Sequence, residues 1–358
     1  MKLNKWLFWD VILLMMFGLL MIYSSSSIWS AYKFGNSFHY FIYQGLFSII
    51  SIILMIILSK IDYHVYYKHA SKLLVISVIL LILVLIPGIG IIRNGSRSWF
   101  GIGPFGIQPS EFTKLTLIIF TSKYLEKSNK FIQDYKRGVF PILGILLFIF
   151  GLIMLEPDFG TGMIIVVSII SLLFIAGVNM KFFFILGGIG VIGIIGLIII
   201  APYRMNRITS FLNPWSDPLG TGFQIIQSLY SIGPGGLLGM GLFNSRQKHF
   251  YLPEPQTDFI FSIISEELGV LGVIIVILLF SVLLYCGIKI ALKCEDKFGK
   301  YLSFGLIFQL IIQTILNLLV VIGLIPVTGV TLPFLSYGGS SLLISSISIG
   351  IILSISKK

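Results

Sequence analysis

Segments of about 20 consecutive, mostly apolar residues recur from one end of this chain to the other, each long enough to cross a hydrocarbon core of roughly 30 Å as a helix. No other feature restricts the fold as strongly. Composition agrees: of 358 residues, 56% are hydrophobic and 11% are charged, against about 25% charged in soluble domains. The expected fold is an all-α polytopic membrane protein, read as one domain over residues 1–358. It has about ten spans, at 7–29, 39–59, 73–92, 109–123, 139–155, 162–179, 182–201, 258–288, 301–323 and 339–356. The first apolar run lacks a small-residue cleavage site, so it reads as a span rather than a signal peptide.

An even number of spans puts both termini on one side. Loops on that side, such as KYLEKSNKFIQDYKRG (Lys123–Gly138), hold most of the 25 lysines and arginines, which makes that side cytoplasmic. The net charge of +11 is then a topology signal beside anionic lipid headgroups. It does not call for a nucleic-acid partner. On the opposite side acids and bases balance, and the loops are rich in Gly, Pro, Trp and Arg. The longest of these, a large extracellular loop between spans seven and eight (about 201–257), is where function is expected, with a short helix near Gly222–Ser231. Cys286 and Cys294 form neither a disulfide framework nor a zinc site.

Polar chemistry concentrates in a few stretches. In RNGSRSWFGIGPFGIQPSEFTK, Glu111 and Lys114 lie one helical turn apart. Solvated, the pair contributes little; below the headgroups it marks a site. In LEPDFGTG, Glu156 and Asp158 share a turn, either as a polar connector or as oxygen ligands for a divalent cation such as Mg or Mn. In APYRMNRITSFLNPW, Arg204 and Arg207 are three apart. Their forks suit phosphate oxygens, or they snorkel at a span end. Gln309, Gln313 and Asn317 recur every four residues and read as helix glue rather than substrate contacts. GPGGLLGMG (Gly233–Gly241) has the look of a phosphate loop, but it follows no strand, so that reading is rejected.

The stretch SRQKHFYLPEPQTDFIFSIISEELG holds Lys248 and four acids. Pro253 and Pro255 forbid helix, and Thr257 is the expected N-cap, with Asp258 in the first turn. Asp258 either complements the helix dipole or acts as a general base, being shallow, near water and near cations. Glu266 falls about 12 Å deeper on the same face, with Glu267 rotated by about 100°. Both read as a structural pair, since acids that deep must face the protein interior. Glu254 stays at the rim.

GSRSWFGIGPFGIQPSEFTKL, EPDFGTG, NPWSDPLGTGFQIIQS, QKHFYLPEPQTDFIFSIISEELG and LPFLSYGGSS resemble, in that order, motifs of the SEDS family (shape, elongation, division and sporulation). The resemblance extends over nearly the whole chain and is nearer the FtsW/SpoVE branch than RodA. It implies a ten-span glycosyltransferase that polymerises lipid II, a disaccharide peptide on undecaprenyl pyrophosphate. The implied location is the outer face of the bacterial cytoplasmic membrane, and the implied partner a class B penicillin-binding protein transpeptidase. It implies that Asp258 is catalytic and that Glu111, Lys114 and Asp158 are functional, with Glu156 beside them. Arg97, Lys114, Arg204, Arg207 and Lys248 are then expected to offset phosphate charge. With Glu111, Asp158, Glu156 and Glu254 they make up the expected substrate-binding set. A lipid II flippase, with polar groups through the midplane, and a non-catalytic division scaffold are the alternatives.

Overall fold

The computed structural model describes residues 2–93, 95–102, 105–200 and 202–357. Its elements, in order, begin with helices α1 (Lys2–Phe34), α2 (His39–Leu58) and α3 (His64–Leu85), then strands β1 (Ile91–Arg93), β2 (Ser96–Ile102) and β3 (Phe105–Ile107). Next come α4 (Pro109–Ser128), a single turn α5 (Tyr135–Gly138), α6 (Phe140–Leu155), α7 (Phe159–Ile175) and α8 (Met180–Ile200). Two short helices, α9 (Pro202–Leu212) and α10 (Phe223–Ile232), precede α11 (Ile260–Lys293), α12 (Lys297–Val321) and α13 (Gly339–Ile355). Among the described residues a helix meets each of the ten expected spans, and α10 falls where a loop helix was expected. Five helices (α1, α2, α3, α11 and α12) are long and apolar enough to cross a membrane. α6, α7, α8 and α13 are shorter apolar helices. The chain is a multi-pass membrane protein.

α12 lies at the centre, packed on α4, α7, α11 and α13. α1 lies against α11 and α2, α2 against α13, and α3 against α4. Local chemistry sets several helix starts. Pro109 occupies the first turn of α4, where a missing N–H costs nothing. Asp296 caps α12 by accepting from the Phe298 and Gly299 N–H groups.

Two features depart from the expected pattern. The third span was expected to run to residue 92, but α3 stops at Leu85. Pro87 and the left-handed Gly88 (φ 90°) end it. The chain then folds into a three-stranded antiparallel sheet in the order β1-β2-β3, which the all-helical expectation lacked. Arg93 lies over the Trp99 ring, 5.1 Å from its centroid, and ties β1 to β2.

The second departure is inside α11, where Gly269 breaks the helix at φ 61°, ψ −151°. Freed backbone groups are costly in a lipid environment, and the glycine-rich segment 233–241 satisfies them. The Glu266 and Glu267 carbonyls accept from the Met240 and Gly241 N–H groups at 2.9 and 3.0 Å. The Val270 and Leu271 N–H groups donate to the Gly236 and Leu237 carbonyls at 3.0 and 3.3 Å. A Cβ on Gly239 would run into the Glu267 carbonyl, and one on Gly269 would lie 2.7 Å from the Gly236 carbonyl. GPGGLLGMG is therefore a splint for a broken helix.

Candidate active site

The site is built where the turn before α11 meets the loop between α12 and α13. Asp258 lies in that turn, half-buried, two residues ahead of the helix. Phe259 occupies the cap position, so the expected Thr257 cap with Asp258 in the first turn is corrected. The carbonyls of this turn are engaged by neighbouring segments. The Gln256 carbonyl accepts from the Tyr337 N–H at 2.8 Å. The Thr257 carbonyl accepts from the Ser336 hydroxyl, and the Asp258 carbonyl from the Asn317 amide at 2.7 Å. Gln44 of α2 braces the same loop, donating to the Ser336 carbonyl at 3.2 Å and accepting from the Gly338 N–H at 3.3 Å. The Thr257 hydroxyl donates to Asp258 Oδ1 at 2.9 Å.

A second junction joins EPDFGTG to QPSEFTK. Asp158 caps α7, accepting from the Thr161 N–H at 3.1 Å. Its other oxygen accepts from Gln108 Nε2 at 2.8 Å and the Ser110 hydroxyl at 3.4 Å. The Gln108 N–H donates to the Ser340 hydroxyl at 3.2 Å, which brings in the start of α13. Behind this junction Glu111 and Lys114 form an ion pair at 2.8 Å, both side chains buried. Lys114 Nζ also donates to Gln313 Oε1 at 2.8 Å, and Gln313 Nε2 donates to the Thr331 carbonyl at 2.9 Å. The pair is thus held below the surface, and Gln313 is helix glue as expected.

Glu156 is fully buried, and neither carboxyl oxygen has a hydrogen-bond partner. Burial, with the charge of Asp158 adding to it, pushes its pKa up to about 9. Its backbone carbonyl accepts from the Ser96 and Ser98 hydroxyls of β2. Among the described residues no group of three His, Cys, Asp or Glu side chains could hold a metal.

Lys248 also departs from expectation. Instead of facing open space for a phosphate it is buried, with Nζ 3.0 Å from Glu267 Oε1 and 2.6 Å from the Phe243 carbonyl. Both oxygens of Glu267 accept from the Ser24 hydroxyl, at 2.7 and 2.6 Å. Glu266 accepts from the Ser245 hydroxyl at 2.5 Å and the Arg246 N–H at 2.9 Å. The two glutamates form the expected structural pair, and they anchor residues 245–248 to α11. Glu254 is exposed at the rim, at φ 44°. Arg97 is half-buried on β2, opposite Ile92. The side chains of Arg204 and Arg207, on α9, lie outside the described residues.

Asp258, Asp158 and the Glu111–Lys114 pair thus share one framework of loops and helix starts. Residues 5–358 match the sequence profile of the FtsW, RodA and SpoVE family, described as "Cell cycle protein". The chain belongs to this family. It is 54% identical to stage V sporulation protein E of Bacillus subtilis, covering 97% of this chain and 94% of that protein. It is 40% identical to a probable peptidoglycan glycosyltransferase FtsW of a Geobacter species, covering 98% and 97%. A solved chain from "Structural coordination of polymerization and crosslinking by a peptidoglycan synthase complex" superposes with a TM-score of 0.77 at 28% identity, covering 98% and 97%. The FtsW/SpoVE side of the family is the one these sequence relatives represent.

Gln44, Gln108, Ser336 and Asn317 were missed as site-framing residues. The one signal available for them was the cost of burying an amide or hydroxyl without partners.

Proposed function

We infer that this chain is a peptidoglycan glycosyltransferase that joins lipid II units into β-1,4 glycan strands. Full-length similarity to FtsW-type glycosyltransferases supports the reaction class. The observation that carries the assignment of the base is the setting of Asp258. Its turn is tied through three successive carbonyls to the α12–α13 loop and to α12, and its carboxyl stays half-buried rather than sealed in the core. A general base needs this combination of fixed position and access.

In the proposed reaction Asp258 accepts the proton of the acceptor sugar's 4-hydroxyl. That oxygen attacks the anomeric carbon of the donor, and pyrophosphate leaves with the lipid. The α linkage becomes β, so the configuration inverts. Charge developing on the leaving phosphates calls for positioned cations. Arg97, Arg204 and Arg207 are the proposed set, while Lys114 and Lys248 are assigned to holding the framework, because their ammonium groups are already paired in buried sites. No step is routed through a metal. The lysine-rich loops favour the cytoplasm for the opposite end of the bundle, so the site faces outward. A class B penicillin-binding protein transpeptidase is the proposed partner, and the synthase-complex neighbour supports it. The flippase and scaffold readings are not favoured.

The test is lipid II polymerisation by the purified chain supplemented with its partner. Asp258→Asn should lower the rate at least ~100-fold, the scale of general-base catalysis, while the protein still folds. Glycan strands made at the normal rate by Asp258→Asn would overturn the assignment.

A further inference from the structure

Asn317 sits on α12 with no exposed surface. Its side-chain Nδ2 donates two hydrogen bonds of 2.7 Å, one to the Asp258 carbonyl and one to the Val330 carbonyl. Its Oδ1 has no partner. An asparagine that served only to glue helices would use both ends of its amide, and a buried acceptor left unpaired is costly. What the position retains is a two-pronged donor. The two carbonyls belong to segments 72 positions apart by residue number (Asp258 and Val330). These are the turn that carries the proposed base and the loop whose Ser336 and Tyr337 hold that same turn.

We propose that Asn317 is a positioning residue for glycosyl transfer: by bridging the Asp258 and Val330 carbonyls it fixes where the Asp258 carboxylate stands relative to the α12–α13 loop. The carbonyl it grips is bonded to the Cα that bears the carboxylate side chain, so slippage of the backbone moves the base directly. Misplacing a catalytic group by about 1 Å costs on the order of 100-fold in rate. An aspartate would fit the same space but would present oxygens to two carbonyls. A serine would be too short to reach both.

The inference rests on the reading of Asp258 as the base, and the experiment separates the two. Initial rates of lipid II polymerisation are measured against substrate concentration for the full chain with its partner transpeptidase. The variants are Asp258→Asn, Asn317→Asp, Asn317→Ser and Gln309→Leu, each with thermal unfolding recorded. Gln309 is the control: it is buried on the same helix, about two turns away, with an unpartnered Oε1. Both Asn317 variants should lower kcat per folded molecule by ~100-fold with KM within about twofold, while Gln309→Leu keeps wild-type kcat. The inference is overturned by wild-type kcat in Asn317→Asp, by an equal loss in Gln309→Leu, or by a loss accounted for wholly by unfolded protein. Activity in Asp258→Asn would remove the base itself and the inference with it. An inactive Asp258→Asn beside fully active Asn317 variants would overturn the positioning role alone.

Discussion

Lys114 Nζ lies 2.8 Å from Glu111 Oε1 and 2.8 Å from Gln313 Oε1, so one buried ammonium joins α4 to α12. Removing one partner of a buried pair leaves an uncompensated charge and costs about 3–5 kcal/mol. Lys114→Met should therefore lower the unfolding temperature in detergent sharply. The double variant Lys114→Met/Glu111→Gln should recover part of the loss. Equal destabilisation by the single and the double variant would show that the ion pair is not the operative contact.

Glu156 makes stability depend on pH. Burial raises its pKa from the ordinary carboxyl value of 4.5 to about 9 in the folded chain. Between those two values the unfolded chain has lost the proton and the folded chain keeps it, so stability falls as pH rises through that window. Glu156→Gln has nearly the same shape and no charge. It should retain polymerisation and flatten the decline of unfolding temperature between pH 5 and 9. An unchanged pH slope in the variant would place the titration elsewhere.

Lys248 and Glu267 hold the loop ahead of Asp258 against α11 and α1. Lys248→Met should loosen that loop, read as faster proteolysis between residues 243 and 256, and Glu267→Gln in the same chain should restore part of the protection. KM for lipid II per folded molecule should stay within about twofold if Lys248 anchors the loop and does not contact phosphate. A large rise in KM with normal proteolysis would return Lys248 to the substrate.

Gly269→Ala places a side chain at φ 61°, facing the Gly236 carbonyl. The backbone strain alone costs about 1–3 kcal/mol, and the displaced splint adds lost hydrogen bonds. Gly239→Ala attacks the same contact from the other side, so the two losses should be strongly non-additive in a double variant. Additive losses would mean that the break and the splint are independent.

Much of this molecule was legible in its sequence. Among the described residues a helix meets each apolar run, because lipid leaves a long apolar segment few other folds. The acids and lysine of QPSEFTK, EPDFGTG and QTDF could be singled out because charge is scarce in such a chain. What could not be read was the partner of each group. Lys248 has the spacing of a surface cation, and the nearby Phe243 carbonyl together with the distant Ser24 and Glu267 turns it inward. Thr257 has the chemistry of an N-cap, but Ser336 and Asn317 claim the carbonyls that would have begun the helix. The start of the sheet was masked because the apolar run 73–92 continues through Ile91 and Ile92, although Pro87 and Gly88 marked the end of α3. Local spacing sets which groups are able to bond; long-range contacts decide which of them do.

The break at Gly269 also orders events during synthesis. The splint, residues 233–241, precedes the break in the chain and leaves the ribosome first. When the middle of α11 reaches the bilayer, the groups that satisfy its open carbonyls and N–H groups are already present. A circular permutant starting between residues 245 and 260 would reverse that order and insert a helix whose break had nothing yet to bond to.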